Sequence, residues 1–318
     1  MKLGLVIQPY TDANLRLAEQ IGVTEVVYYD MTEMPDSVDV LIAQRQRVEL
    51  FGMDMSVVEG GPPTTRIILP KDGRDEQIEN WKRCLQAMGK AGINTVCYDW
   101  MPPNQGVVRT SYQVKVRGGA LTTGFDLAKF DDDALTEEGH TCAEQMWDDL
   151  AYFLKRVIPA AEDAQVRLAM HPDDPPLAKM QGLARILGSA ADFDRLFDLC
   201  SSPSNSMTFC QGCFAEMGED IAWTIEHFAD RIAFVHFRDV RGTADSFHET
   251  FHDNGETDMA AAIRAYVLAG FQGVIRPDHV PLLEGVEPGE ADDGYTMLGR
   301  LYAAGYLRGL MQAASIGG

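Results

Sequence analysis

Met170-His171-Pro172-Asp173-Asp174-Pro175-Pro176 is the stretch whose reading decides the fold. It ends a short β-type run, 166–170, and breaks it with three prolines in five residues. Proline fixes its own φ and cannot donate to a sheet ladder, so the strand stops here. What remains at the strand end is a histidine and a stiff acidic turn, which points a metal-capable side chain out of the sheet edge. Three later β-type runs finish the same way. Ser206-Met207-Thr208-Phe209 leads into Cys210, Ile232-Ala233-Phe234-Val235 into His236, and Gly273-Val274-Ile275-Arg276-Pro277 into Asp278.

Outward from these four ends, strand and helix patterns alternate along the chain. Strands are expected at 2–7, 25–29, 53–58, 94–100 and 166–170, with three more ending at Cys210, His236 and Asp278. Helices are expected at 14–21, 37–51, 76–91, 141–163, 191–200, 220–229, 259–269 and 294–313, with Gly92 as a C-cap and a kink or end at Pro159. The rhythm breaks at 101–140, where Pro, Gly and Asp cluster around one hairpin, 113–121, at Gly118-Gly119. An excursion of that length inside a compact domain reads as a lid or binding loop. Eight repeats of strand and helix, with no linker and no change of composition, are the pattern of an α/β protein of the (β/α)₈ TIM-barrel class. The expectation is therefore one barrel domain over 1–318. A doubly wound sheet is the fallback, but no glycine fits the GxGxxG pattern such a fold uses for phosphates.

Composition narrows the function. The chain of 318 residues is 46% apolar, which suits a folded globular protein. A formal charge of −21 and a pI near 4.6 argue against nucleic-acid binding, and mean that an anionic ligand needs a locally basic pocket. The opening MKLGLVIQPY reads as no signal peptide, and no apolar stretch is long enough for a membrane span. Six scattered cysteines at 84, 97, 142, 200, 210 and 213 suit a reducing cytosol, so a cytoplasmic location is expected.

In a barrel the C-terminal strand ends form one ring, and function sits on that ring. A single strand-end histidine is more often structural than a ligand. One His, one Cys, one His and one Asp at four successive ends, on strands about 4.8 Å apart, read instead as a single metal site. A thiolate and two imidazoles favour a transition ion over Mg²⁺ or Ca²⁺; Zn²⁺ or Fe²⁺ come first and Mn²⁺ stays open. Cys213, which makes a CxxC with Cys210, reads as packing, because the pair falls at a strand end and not at a helix start. His279 beside Asp278 is available as acid or base. Arg276 shares a strand face with Asp278 and suits a substrate carboxylate; Arg238 stands two past His236 in the same way. Tyr295, after a Gly-rich turn, is placed to reach over the ring as a second proton donor. His248 and His252 are spaced like half of a zincin helix, but the glutamate is misplaced for HExxH, so His248 lines the pocket or caps a loop. His140 and His227 read as surface residues, and Arg109, Lys115 and Arg117 as outer anion contacts or solvated charges.

These blocks together resemble the mannonate dehydratase family: HPDDPP at 171–176, Asn94 to Pro102, Phe247-His248-Glu249 through His252-Asp253-Asn254-Gly255, Arg276-Pro277-Asp278-His279, and Gly294 to Arg300. The likeness runs from about Met53 to the C-terminus. It implies a xylose-isomerase-like barrel, a divalent metal and the loss of water from D-mannonate to give 2-keto-3-deoxygluconate. By matching motif it implies His171, Cys210, His236 and Asp278 as ligands, and His279 and Tyr295 as the acid–base pair with Arg276 nearby; Arg238 and His248 join the substrate-binding candidates from their positions alone. It moves the expected ion to Mn²⁺, with Fe²⁺, Co²⁺ or Zn²⁺ as alternatives. The expected partners are a small anionic sugar acid and a second copy of the chain in a homodimer. Two departures bear on the mouth of the pocket. The chain lacks the longer Trp/Tyr-Gly-Pro opening and has Tyr28-Tyr29-Asp30-Met31 where the family carries a histidine-containing turn, and its excursion after the fourth strand is shorter. The rival readings are a metal-dependent isomerase or epimerase on the same kind of barrel, and a non-catalytic metal-bearing binder of sugar acids.

Overall fold

Strands rich in Val, Leu, Ile and Phe, buried on both faces, can be satisfied only by a parallel sheet with helices outside it. The computed structural model of the chain, which describes residues 1–29, 37–103, 105–286 and 294–316, closes that sheet into a barrel. Its strands are β1 (Lys2–Val6), β2 (Glu25–Tyr29), β3 (Asp54–Glu59), β4 (Thr95–Tyr98), β5 (Arg167–Met170), β6 (Asn205–Cys210), β7 (Ile232–Phe237) and β8 (Val274–Pro277). Each pairs in parallel with its sequence neighbour, and β8 closes on β1. The TIM-barrel expectation holds. Asp30 and Met31 of the departing N-terminal turn lie outside the described residues.

The helices form the outer layer and bury their apolar stripes against the strands in one large cluster, from Leu3 and Leu5 to Ala304 and Leu307. Their ends carry the expected punctuation. Gly92 sits at φ 74° and closes the helix Arg74–Ala91, a backbone conformation that side-chain-bearing residues rarely adopt. Asp220 and Asp258 cap the helices Ile221–His227 and Met259–Leu268 through the N–H groups of Trp223 and Ala261. Pro159 neither ends nor splits its helix, which runs from Ala143 to Ala164. Among the described residues no helix is long and apolar enough to cross a membrane.

Two excursions meet above the barrel. The hairpin expected at 113–121 is present with its strands at Ser111–Lys115 and Leu121–Asp126. The stretch after β7, read from sequence as loop, is a second hairpin, Val240–Thr243 and Ser246–Glu249, and the two hairpins join into one antiparallel sheet. Phe125, Phe247, Val240, Leu177 and Met180 give this sheet a core of its own.

Candidate active site

The site follows from the period of two along a strand. Inside the barrel, Val6, Val27, Val57, Cys97, Phe234 and Val274 pack as one apolar layer. Two residues further along β3, β7 and β8, the inward side chain becomes Glu59, His236 and Arg276. Register then sets these side by side: Cys210 pairs with His236, His236 with Arg276, and Glu59 lies between Tyr29 and Cys97. One step along each strand thus converts an apolar plug into a polar ring.

The ring holds a cluster of metal-capable atoms. One donor atom each from His171, Cys210 and His236 lies within 4.8 Å of the others. His171 Nε2 is 3.2 Å from His236 Nδ1, and Asp278 Oδ2 is 3.5 Å from that same Nδ1. The two imidazole nitrogens that face each other have their ring partners already engaged. His171 Nδ1 donates to the carbonyl of Pro172 at 2.7 Å, and His236 Nε2 donates to Glu59 Oε1 at 2.8 Å. Against burial and Arg276, the carboxylates of Glu59 and Asp278 hold the His236 pKa well above its usual value, so a metal ion would displace a proton to reach the inward nitrogens, the ones whose ring partners are fixed for binding it. Two imidazoles, a sulfur and a carboxylate oxygen fit a divalent transition ion. Burial would raise the pKa of Glu59, but Arg276 and His236 outweigh it and bring it down to about 2. The carboxylate is therefore a permanent acceptor for His236.

Beside the cluster, the Tyr295 hydroxyl and His279 Nε2 are 3.1 Å apart. Burial lowers the pKa of His279 and raises that of Tyr295, so near neutrality the imidazole is uncharged and the phenol keeps its proton. Among the described residues His279 Nδ1 has no hydrogen-bond partner although it is buried. Gly294 makes room for it: a Cβ there would stand 3.2 Å from Nδ1, and φ of 87° independently disfavours any other residue.

A family profile for D-mannonate dehydratase (UxuA) matches residues 9–142 and 133–317 of the chain. The chain belongs to the D-mannonate dehydratase family. Mannonate dehydratase 2 of Halalkalibacterium halodurans is 33% identical over 303 residues, covering 86% of this chain and 87% of its own. The mannonate dehydratase of Thermotoga maritima is 32% identical over 306 residues, covering 85% and 84%. A crystal structure of mannonate dehydratase from Streptococcus suis serotype 2 superimposes with a TM-score of 0.91 at 30% identity, over 100% of this chain and 94% of that one. An L-ribulose 3-epimerase matches at a TM-score of 0.64 and 14% identity, which speaks for the fold alone.

For a member of this family, some expected substrate contacts are differently occupied. Arg276 forks Glu59, with Nη2 at 2.8 Å from Oε2, and Nη1 reaches Asp278 Oδ1 at 2.8 Å. Its charge is used in holding the ring together. Arg238 corrects the reading from sequence more sharply. Its five N–H groups go to Glu249 twice, Asp174, Glu216 and Cys213, so none is left for a substrate. His248 lies on the strand Ser246–Glu249 and His252 beyond its end, so the spacing of four is not a helix face. His248 and Glu249 point to opposite sides of that strand, and Glu249 is the one turned toward Arg238. Arg109 is no outer contact but a buried partner of Asp174 and Glu249, whereas Arg117 pairs with Asp253 at the surface. Exposed Asp194 accepts from His227, as expected of a surface residue. The reading of Cys213 as packing needs the pair to sit at a strand end and not at a helix start; β6 in fact runs straight into the helix Gln211–Glu216, with Cys210 as its N-cap.

Two functional candidates escaped the sequence reading. Glu59 ends β3, so the strand-end rule that found the other four applied to it equally. Arg300, in the last helix, donates to the carbonyl of Val6 and to Gln8 Oε1, and its guanidinium lies 5.0 Å from the Tyr295 ring centre. Among the described residues it meets no carboxylate, and burial followed by the nearby Arg276 lowers its pKa to about 10. Its one sequence signal is that it closes the block Gly294 to Arg300, part of the family resemblance; helix periodicity alone does not distinguish it from a surface arginine.

Proposed function

We propose that the chain is a metal-dependent hydro-lyase that converts D-mannonate to 2-keto-3-deoxy-D-gluconate and water. The observation that carries this reading is the His279–Tyr295 pair at 3.1 Å, set directly against Asp278 at the edge of the cluster of His171, Cys210 and His236. His171, Cys210, His236 and Asp278 would hold the divalent ion, for which Mn²⁺ is our assignment. When bound, it supplies positive charge to the substrate carboxylate, where negative charge develops as the C2 proton leaves.

The chain's own groups do the proton work. Neutral His279 takes the C2 proton on Nδ1, the nitrogen without a partner, while Nε2–H donates to the Tyr295 oxygen. Tyr295, kept protonated by burial, gives its proton to the departing C3 hydroxyl, which leaves as water. The enol that remains rearranges to the 2-keto-3-deoxy acid. Arg300, rather than Arg276 or Arg238, offers an uncommitted cation for the anionic end of the substrate. The sheet formed by the two hairpins, including the segment 101–140, acts as the cap that excludes water. A cytoplasmic location belongs to the same proposal, and the thiol form of Cys97, Cys142, Cys200, Cys210 and Cys213 supports it.

The test is release of keto acid from a panel of aldonic acids with Mn²⁺, against the chelated protein. D-mannonate should give a 2-keto-3-deoxy acid. Conversion of ketoses with no loss of water would move the chain to the isomerases, and tight binding of D-mannonate with no product would make it a binder.

A further inference from the structure

We infer that Cys210 and Cys213 form a reversible disulfide when the site is free of metal, and that this bond withdraws Cys210 from the cluster it shares with His171 and His236. The inference rests on the reading of Cys210 as a metal ligand. Three observations carry it. Cys210 is both the last residue of β6 and the N-cap of the helix Gln211–Glu216, so Cys213 returns one turn later on the same side. Residues so spaced stand about 5–6 Å apart, within the range a disulfide spans. Arg238 Nη1 touches both, at 3.2 Å from Cys213 Sγ and 3.7 Å from Cys210 Sγ, so one guanidinium nitrogen bridges the two sulfurs. Gly212, between them, permits this: a Cβ there would lie 2.5 Å from Arg238 Cδ.

The oxidant is a hydroperoxide, and the step balances with it. The Cys210 thiolate attacks the terminal oxygen of hydrogen peroxide, the O–O bond breaks, and water leaves with one added proton. The Cys210 sulfenic acid is then attacked by the Cys213 sulfur, the S–O bond breaks, and a second water leaves with the Cys213 proton. Two thiols and one peroxide become one disulfide and two waters. Access follows the route a metal ion would use, since His171 of the same cluster is partly exposed. A bound ion occupies the Cys210 lone pair and protects it. Of the remaining cysteines, Cys97 lies in the barrel layer below the ring, and Cys84, Cys142 and Cys200 lie on or at the ends of helices.

The experiment compares the full chain, chelated or loaded with Mn²⁺, after treatment with hydrogen peroxide. The chelated protein should lose two hydrogen atoms in mass, give a peptide linked through Cys210 and Cys213, and bind Mn²⁺ about 100-fold or more weaker, beyond the effect of losing an outer hydrogen-bond partner. Dithiothreitol should restore both thiols and binding. The Mn²⁺-loaded protein should stay unlinked. In Cys213→Ser, and in Cys213→Ala as a check on the Arg238 contact, Cys210 should instead gain two oxygen atoms, a change that dithiothreitol does not reverse. Absence of the linked peptide, linkage to Cys97, or equal recovery of the Cys213 variants and the parent overturns the inference while leaving the metal reading intact. A linked peptide in a protein that still binds Mn²⁺ normally overturns Cys210 as a ligand, and the switch with it.

Discussion

Glu59 Oε1 accepts the Nε2–H of His236 at 2.8 Å, and through its other oxygen the same carboxylate holds Arg276 at 2.8 Å. A buried acid on β3 therefore sets the tautomer of a histidine on β7 and the fork of an arginine on β8. Glu59→Gln keeps the volume but can present its amide N–H to His236 instead of an oxygen. Affinity for Mn²⁺ should fall by about 10- to 100-fold, as measured by competition with a chelator. Unchanged affinity would remove Glu59 from any role in orienting His236.

His279→Asn and Tyr295→Phe remove the two groups proposed to handle protons without altering the four proposed ligands. Each should lower kcat by about 10²-fold or more while metal content stays at the parental level. Elemental analysis alongside steady-state kinetics separates the two quantities. If His279→Asn turned over at near the parental rate, the base would have to be sought elsewhere.

Arg300→Met tests the uncommitted cation. A charged hydrogen bond contributes about 1.5–3 kcal/mol, so the KM for D-mannonate should rise by about 10- to 100-fold with the fold and metal content retained. Arg276→Lys makes the contrast: it should weaken metal binding more than it raises KM, because its partners are Glu59 and Asp278. The opposite ranking would return the substrate carboxylate to Arg276.

Arg238→Met leaves Asp174, Glu249 and Glu216 buried around an absent cation. Breaking a buried pair from one side costs about 3–5 kcal/mol, so the midpoint of urea unfolding should drop steeply. A variant with parental stability would mean that these acids take up protons or water at little cost.

His252 makes stability depend on pH. Burial brings its pKa down from 6.5 to about 4, while Nε2 donates to the Phe237 carbonyl at 2.7 Å. The folded chain keeps the ring neutral where the unfolded chain protonates it. Its contribution is thus complete above about pH 6.5 and is lost as the pH falls through about 4, up to about 3 kcal/mol in all. Urea unfolding across that range should show a shallower pH dependence in His252→Gln than in the parent. Equal slopes would assign the acid sensitivity to other groups.

The barrel and its four metal-capable ends were legible because both rest on local signals: a period of two, and proline or a turn at the strand end. Bounds moved by a residue or so; His236, for example, lies within β7 and not at its end. What was illegible depends on partners far away in the chain. Whether Arg276 is free or held is decided by Glu59, 217 positions away. Arg238 likewise meets Asp174 across 64 positions. The hairpin at 240–249 carries little alternation of its own and exists by pairing with Leu121–Asp126, from which three barrel strands, β5 to β7, separate it in the chain. The helix Gln211–Glu216 is too short to show a periodicity, and missing it hid the true placement of Cys213.

The layer of Val6, Val27, Val57, Cys97, Phe234 and Val274 has a consequence for traffic. It stoppers the tube, making the space above it a cul-de-sac whose doorway lies toward the C-terminal ends of the strands. Sugar acid, released water and keto acid must all use that doorway, one after another. Turnover then has a queue built into it, and anything that narrows the doorway delays departure as much as arrival.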